Sequence, residues 1–236
     1  MALIETEDLT KSFGYMPVIK RLTLGIERGE AVALLGANGS GKSTLLRMLS
    51  SLSKPTSGSI RIGGWELPRE AAAVRAQIGM VAHKPLLYDN LTAVENLQFF
   101  GRLYNLDPAK SKQRGGLLLE QVGLARRAND LVRTFSRGMQ QRLSIARAML
   151  HEPDILLLDE PHTGLDQRGA ALLDDLIMGA RGEGRTILMA THEFDHAVQV
   201  STRVLILERG SVVIDQPAAE MDAVRLAAIF AEQVSA

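Results

Sequence analysis

Continuous apolar runs at residues 31–35, 78–81, 155–158 and 186–190 alternate along the chain with stretches of helical periodicity. Runs of four or five apolar residues with no polar alternation predict strands buried on both faces. Strands of that kind, interleaved with helices, predict a parallel sheet covered on both sides, an α/β fold. Residues 3–8 and 21–27 predict two further short strands around a turn at Gly14, and Gly58-Ser59-Ile60-Arg61-Ile62 alternates like an edge strand before the Gly63-Gly64 turn. Strands at 203–208 and 211–216 turn at Arg209-Gly210, and a C-terminal helix follows.

The pattern changes character between these strand-rich parts. Pro85 breaks the chain, and Thr92-Ala93-Val94-Glu95 is a capping box that opens a helix to about Tyr104. Asp107-Pro108 has the cap and first-turn proline of a second helix, over 108–122, with Leu117, Leu118, Gln121 and Val122 on one face. Residues 84–133 are therefore expected to form a helical insertion between 1–83 and 134–236. Beyond it, Phe135-Ser136 starts a helix through Met149, with Leu143, Ala146, Met149 and Leu150 on one side; Asp166 caps another that Gly182 and Gly184 end.

Between the run at 31–35 and a helix at 42–50 lies Gly36-Ala37-Asn38-Gly39-Ser40-Gly41-Lys42-Ser43-Thr44. Glycines at 36, 39 and 41 let successive backbone N–H groups turn inward and cradle phosphate oxygens. The helix that follows adds its positive dipole end. Lys42 can reach the β- and γ-phosphates of a nucleotide, and the Ser43 hydroxyl can bind Mg²⁺. The pattern G-x-x-x-x-G-K-[ST] sits in the strand–loop–helix context that its chemistry requires, which makes this a nucleotide phosphate site. The run at 155–158 ends in Asp159-Glu160. Downstream of a phosphate loop, two such carboxylates suit Mg²⁺-dependent hydrolysis, with Asp159 in the metal shell and Glu160 polarising the attacking water.

Composition narrows the partners. Lys+Arg and Asp+Glu both total 27, so the formal net charge is zero and the basic surplus of a nucleic-acid binder is missing. With no cysteine there is neither a disulfide framework nor a thiolate metal site. The acidic start, Met-Ala-Leu-Ile-Glu-Thr-Glu-Asp, is unlike a signal peptide, and no apolar run approaches a membrane span of about 20 residues. A cytoplasmic chain is expected, reaching a membrane only through a partner.

These motifs, in their order and spacing, resemble those of the ATP-binding-cassette (ABC) ATPases along essentially the whole chain. The resemblance implies a P-loop NTPase (RecA-like) α/β core, an antiparallel β edge subdomain and an inserted α-helical subdomain. It makes Gly36 to Ser43 the Walker A loop, Ile155 to Asp159 the Walker B strand, Glu160 the catalytic glutamate, Gly164-Leu165-Asp166 the D-loop and His192 the switch histidine. Phe13, with Val18 close behind, matches the adenine-stacking aromatic, although from the residues alone Phe13 reads equally well as an edge-strand aromatic. The signature is Phe135-Ser136-Arg137-Gly138-Met139 instead of Leu-Ser-Gly-Gly-Gln; Ser136 and Gly138, which approach a γ-phosphate, are retained. Where the family places its Q-loop glutamine, this chain has His83. Imidazole nitrogen suits Mg²⁺ less well than amide oxygen, so His83 is expected to act through a metal-bound water or to be a loop histidine without a role.

His83, Pro85, Leu91 to Leu97 and Phe99-Phe100 resemble the ATPase subunit type of the cytochrome c maturation haem exporter (CcmA type). Ser136 to Leu143 resembles that type and the ABC-2-type exporters. The implied cofactors are ATP and Mg²⁺. The implied partners are a second copy on ATP binding and an integral-membrane permease, with no nucleic acid, at the inner face of the cell membrane. The implied function is ATP hydrolysis that powers an exporter permease, for haem export in cytochrome c biogenesis; the alternatives are the ATPase of another ABC-2-type exporter of drug, lipid or ion and a soluble single cassette of iron–sulfur assembly type, and a non-hydrolysing scaffold is disfavoured by Lys42, Asp159, Glu160 and His192. His192-Glu193-Phe194-Asp195-His196 also fits the zinc motif H-E-x-x-H, but that motif requires both histidines on one helical face, and His192 stands at the junction after a buried strand, so position and companion motifs favour the switch role.

Overall fold

The computed structural model describes residues 2–234. A hairpin of β1 (Ala2–Phe13) and β2 (Met16–Glu27) leads into β3 (Ala31–Leu35), the phosphate loop and α1 (Lys42–Leu49). Then come β4 (Ser57–Ile62), β5 (Trp65–Leu67), α2 (Ala71–Ala76) and β6 (Ile78–Val81). The helices α3 (Ala93–Leu103), α4 (Pro108–Gln121) and α5 (Arg137–Met149) precede β7 (Ile155–Asp159), α6 (Gln167–Gly182) and β8 (Thr186–Ala190). The chain ends with α7 (Phe194–Val200), β9 (Arg203–Glu208), β10 (Ser211–Pro217) and α8 (Ala223–Val234).

Two sheets result. One is antiparallel, in the order β2-β1-β4-β5; the other has six strands in the order β10-β9-β3-β8-β7-β6. All neighbours in the second are parallel except the edge pair β9–β10. Every residue of β3, β7 and β8 is buried, as expected of strands covered on both faces. One core lies between the antiparallel sheet, α1 and one face of the parallel sheet; a second lies between the opposite face and α3 to α6. The second core requires α5 to approach β6 closely: a Cβ on Gly79 would stand 2.3 Å from the Ala148 carbonyl oxygen.

Two expectations are corrected. The first two strands are 12 residues each, longer than 3–8 and 21–27. Asp8 and Arg21 adopt left-handed backbone (φ 43° and 45°), and the pairing register shifts between Thr6 and Leu9, so the alternation breaks inside a continuous ladder. On α4, Leu117 and Gln121 face solvent; the buried positions are Ser111, Gly115, Leu118 and Leu119, followed by Val122. Small residues set this face, because Gly101 of α3 meets Ser111 of α4 so closely that an added Cβ would lie 2.1 Å from the Ser111 hydroxyl. Two elements have no counterpart in the sequence pattern: β5 is only three residues long, and α2 is short and alanine-rich.

The start of α3 is the capping box read from the sequence: Glu95 N donates to Thr92 Oγ1 and Thr92 N to Glu95 Oε2. After α5, the His151 ring stacks on Tyr104 (3.7 Å between centroids, 5° apart), and its Nε2 donates to the Ile78 carbonyl at 3.1 Å. Burial pushes the His151 pKa down to about 4. The unfolded chain, with an ordinary histidine near pH 6.5, therefore takes up the proton first as pH falls. The stability tied to His151 is complete above about 6.5 and is lost as pH drops through about 4. In urea titrations at stepped pH, His151→Phe is expected to flatten this part of the stability profile. An unchanged slope would mean that other groups set it.

Candidate functional site

The phosphate loop forms one wall of a cavity of 570 Å³ lined by Val18, Asn38 to Thr44, His83, Glu160, Thr163 and His192. It closes at the carboxyl ends of β3 and β7, where an open α/β sheet binds its ligands. Gly41 (φ 116°) must be glycine on two counts: its backbone is left-handed, and a Cβ would lie 2.7 Å from Ile19 Cδ1. The Lys42 ammonium group donates to the carbonyls of Gly36 (2.6 Å) and Ala37 (3.2 Å), which holds it at the loop. Burial lowers the Lys42 pKa, and the charges of Glu160 and Asp159 oppose that shift.

Ser43 Oγ donates to Asp159 Oδ1 at 2.9 Å. This hydroxyl–carboxylate pair next to a phosphate cradle is an all-oxygen donor set of the kind that suits Mg²⁺. Glu160 follows in left-handed backbone, at φ 52°, and its N–H bonds to the Ala190 carbonyl at the end of β8. A non-glycine residue held at positive φ is strained, and here the backbone bond to the next strand maintains it. The Glu160 side chain, 14% exposed, lies 2.7 Å (Oε2) from Nδ1 of His192, which is 62% exposed. The structure thus brings Val18, Asn38 to Thr44, His83, Glu160 and His192 to one cavity, with Asp159 bonded to Ser43, while Gly36 and Ala37 stand outside the lining with their carbonyls on Lys42.

Phe13 is not among the lining residues. It stands 58% exposed at the end of β1, with Lys11 Nζ 4.8 Å above its ring. Ser136 and Gly138 are also elsewhere: they line a separate hollow with Arg137, Met139, Arg142, Gly164, Leu165 and Asp166. Ser136 caps α5, accepting from Met139 N at 3.3 Å, so the positive end of α5 opens into this hollow. Gly164, at φ 84°, lies under the Arg137 stem, since an added Cβ would be 3.0 Å from Arg137 Cγ and Cδ. Met139 packs against the second core. One chain thus carries a phosphate loop with its carboxylates and, apart from them, a hollow at the start of α5.

The geometry agrees with setting the H-E-x-x-H match aside. Helix α7 begins at Phe194, so His192 lies outside it, and its ring faces Glu160 while the His196 ring faces Asp174. Sequence reasoning also missed Thr163 in the cavity wall and two side chains that tie α5 to the site. Gln141 Nε2 donates to the Pro161 carbonyl at 3.0 Å, just after Glu160. Arg147 donates to the carbonyls of Leu86 (3.2 Å) and Met80, its guanidinium 5.0 Å from the Phe100 ring, and so brackets the loop that carries His83. The available signal was two polar residues on a helix whose neighbours are almost all buried. Arg147→Ala is expected to cost about 3 kcal/mol of stability, from charged hydrogen bonds lost and carbonyls left unpaired. A denaturant midpoint equal to the parent's would contradict that role.

A family model for ABC transporters matches residues 19–163. The linearmycin resistance ATP-binding protein LnrL of Bacillus subtilis (strain 168) is 34% identical over 211 residues, 89% of this chain and 68% of that protein. The daunorubicin resistance ATP-binding protein DrrA3 of Streptomyces coeruleorubidus is 37% identical over 220 residues, 93% of this chain and 70% of that protein. Among solved structures, an ATP-binding subunit of an ABC transporter superposes with a TM-score of 0.86 at 32% identity, covering 97% of this chain and 94% of that one. The dimeric bacterial cassette MJ0796 superposes with a TM-score of 0.85 at 29% identity, covering 91% and 98%. With the family match, the shared fold and the phosphate-loop cavity in agreement, the chain belongs to the ABC transporter family and is an ATP-binding domain of it.

Proposed function

We propose that this chain is the ATP-hydrolysing subunit of an ABC exporter, working as a homodimer at the inner face of the cell membrane and driving a separate integral-membrane permease. The observation that carries hydrolysis is the 2.7 Å contact of Glu160 with His192 at the edge of the phosphate-loop cavity. In this reading the loop N–H groups and Lys42 hold the β- and γ-phosphates. Glu160 takes a proton from the attacking water, and His192 orients Glu160 and senses the γ-phosphate. Ser43 and Asp159 would hold Mg²⁺, which when bound supplies charge neutralisation on the phosphates. His83, in the same cavity wall, would act on that shell only through a water. Val18 and Phe13 take the adenine side, Phe13 by stacking as the hairpin end moves over the base.

The separation of Ser136 and Gly138 from the phosphate loop supports a composite site. A second copy's signature would bring the dipole end of α5 to the first copy's γ-phosphate. Binding of ATP then joins two copies and hydrolysis frees them, with residues 84–133 as the helical subdomain that passes the motion to the permease.

For cargo, the drug-resistance names of LnrL and DrrA3 favour an exporter of the ABC-2 type. A haem exporter of cytochrome c maturation is the second reading, favoured by His83 in the cavity wall and by the segment from Leu91 to Phe100. Coexpression of the tagged chain with each neighbouring permease frame tests both. A detergent-stable complex with an ABC-2-type permease supports the first reading, and one with a haem-exporter permease replaces it with the second. A chain that hydrolyses ATP but binds neither contradicts the exporter assignment.

A further inference from the structure

Behind Glu160 and His192 lies a cluster that phosphate chemistry leaves unused. His162 follows Glu160 by two residues, His196 follows His192 by four, and Asp174 projects from the middle of α6. His162 is 4% exposed and Asp174 2%. One oxygen of Asp174 lies 2.8 Å from His162 Nε2 and the other 2.7 Å from His196 Nδ1. The two imidazoles stack, 4.0 Å between centroids and 14° apart. On the far side of His196, Glu193 Oε2 stands 3.4 Å from Nε2.

We propose that His162, Asp174 and His196 form a binding site for a divalent transition-metal ion of the zinc class, with Glu193 as the outer carboxylate that orients His196. The donor atoms all lie within 4.8 Å of one another. Two imidazoles and one carboxylate suit zinc and its neighbours, whereas Mg²⁺ and Ca²⁺ take oxygen ligands. Ligands about 2.0–2.2 Å from a tetrahedral zinc sit roughly 3.3 Å apart, so each N···O pair opens by about half an ångström on loading. His162 can make that turn, because its Nδ1 is buried with no hydrogen-bond partner among the described residues and no bond fixes the ring from behind. A carboxylate behind a metal-bound histidine selects the tautomer and raises ligand basicity, which is the place Glu193 occupies. Charge is consistent too: a buried Asp174 and a nearby Glu193 match the two charges of the ion. The side chain of His196, 22% exposed, gives the path of entry. Two of the three donors sit on the segments that carry Glu160 and His192, so an ion here fastens both segments to α6.

The test is titration of the metal-stripped full chain with Co²⁺, read by its visible ligand-field band, and with Zn²⁺, read by equilibrium dialysis. A His83→Ala/His192→Ala background removes the exposed histidines of the nucleotide cavity. The expected result is one equivalent bound, lost in His196→Gln and Asp174→Asn and weakened about 10- to 100-fold in Glu193→Gln. The half-buried His196 keeps the test valid if Asp174→Asn does not fold. A folded background chain that binds no equivalent, or a His196→Gln variant that binds as its parent does, overturns the proposal and leaves the cluster a hydrogen-bonded brace between α6 and α7. The readout is bound metal and not nucleotide, so its failure and that of the ATPase reading are told apart.

Discussion

The Glu160→Gln variant is expected to bind Mg-ATP as the parent does while turnover falls by at least about 100-fold, the scale of a lost general base. Glutamine preserves the volume and one hydrogen-bonding oxygen, so the strained backbone at φ 52° and the Glu160 N–H bond to Ala190 are retained. What disappears is the carboxylate that accepts the proton of the attacking water, along with the charge-assisted contact to His192 at 2.7 Å. The effect should therefore appear in kcat and leave the dissociation constant for ATP near the parent's. Phosphate release measured at saturating ATP, beside nucleotide titration of the same sample, separates the two. A variant with near-normal turnover would move the base to another residue of the cavity.

Lys42→Ala is expected to weaken ATP binding about 10- to 100-fold, the equivalent of one or two charged hydrogen bonds. Among the described residues Lys42 is the one ammonium group in the cavity wall, and its stem is buried with the Nζ anchored on Gly36 and Ala37. Removing it takes away the cation nearest the place of the β- and γ-phosphates while the loop N–H groups remain. Affinity for ADP should fall less than affinity for ATP if the lysine reaches the γ-phosphate. Fluorescent-nucleotide titration checks this, with circular dichroism to confirm the fold. Equal affinities for parent and variant would contradict the phosphate-loop reading.

Much of the parallel sheet was legible because β3, β7 and β8 are buried on both faces, so apart from Asp159 at the end of β7 and Thr186 at the start of β8 their sequences are apolar and leave no choice of face. The phosphate loop was legible for a local reason: its glycines, lysine and serine act through backbone and side chains adjacent in the chain. The β1–β2 hairpin was shortened in the sequence reading because left-handed residues at Asp8 and Arg21 interrupt the alternation without ending the ladder. The buried face of α4 was misplaced because it is set by Gly115 and Ser111, whose small size permits contact with α3 and which carry no apolar signal.

Contacts between distant segments were the least legible. His162 is 12 residues from Asp174, and His196 is 22 residues from it, so nothing local joins them. The one pattern that held His196, the H-E-x-x-H match, paired it with the wrong residue: His192 precedes α7 and turns to Glu160. Likewise, Gln141 and Arg147 act on the Pro161, Met80 and Leu86 carbonyls, acceptors that every residue type provides.

The central claim is that each chain holds half of two ATP sites. The most direct measurement is multi-angle light scattering of Glu160→Gln with and without Mg-ATP. The expected result is a 25.7 kDa monomer that doubles in mass only with Mg-ATP, and that stays monomeric when Gly138→Arg fills the hollow at the start of α5. A Glu160→Gln chain that binds ATP and remains monomeric at every protein concentration, or that dimerises equally well with Gly138→Arg, would contradict the composite site.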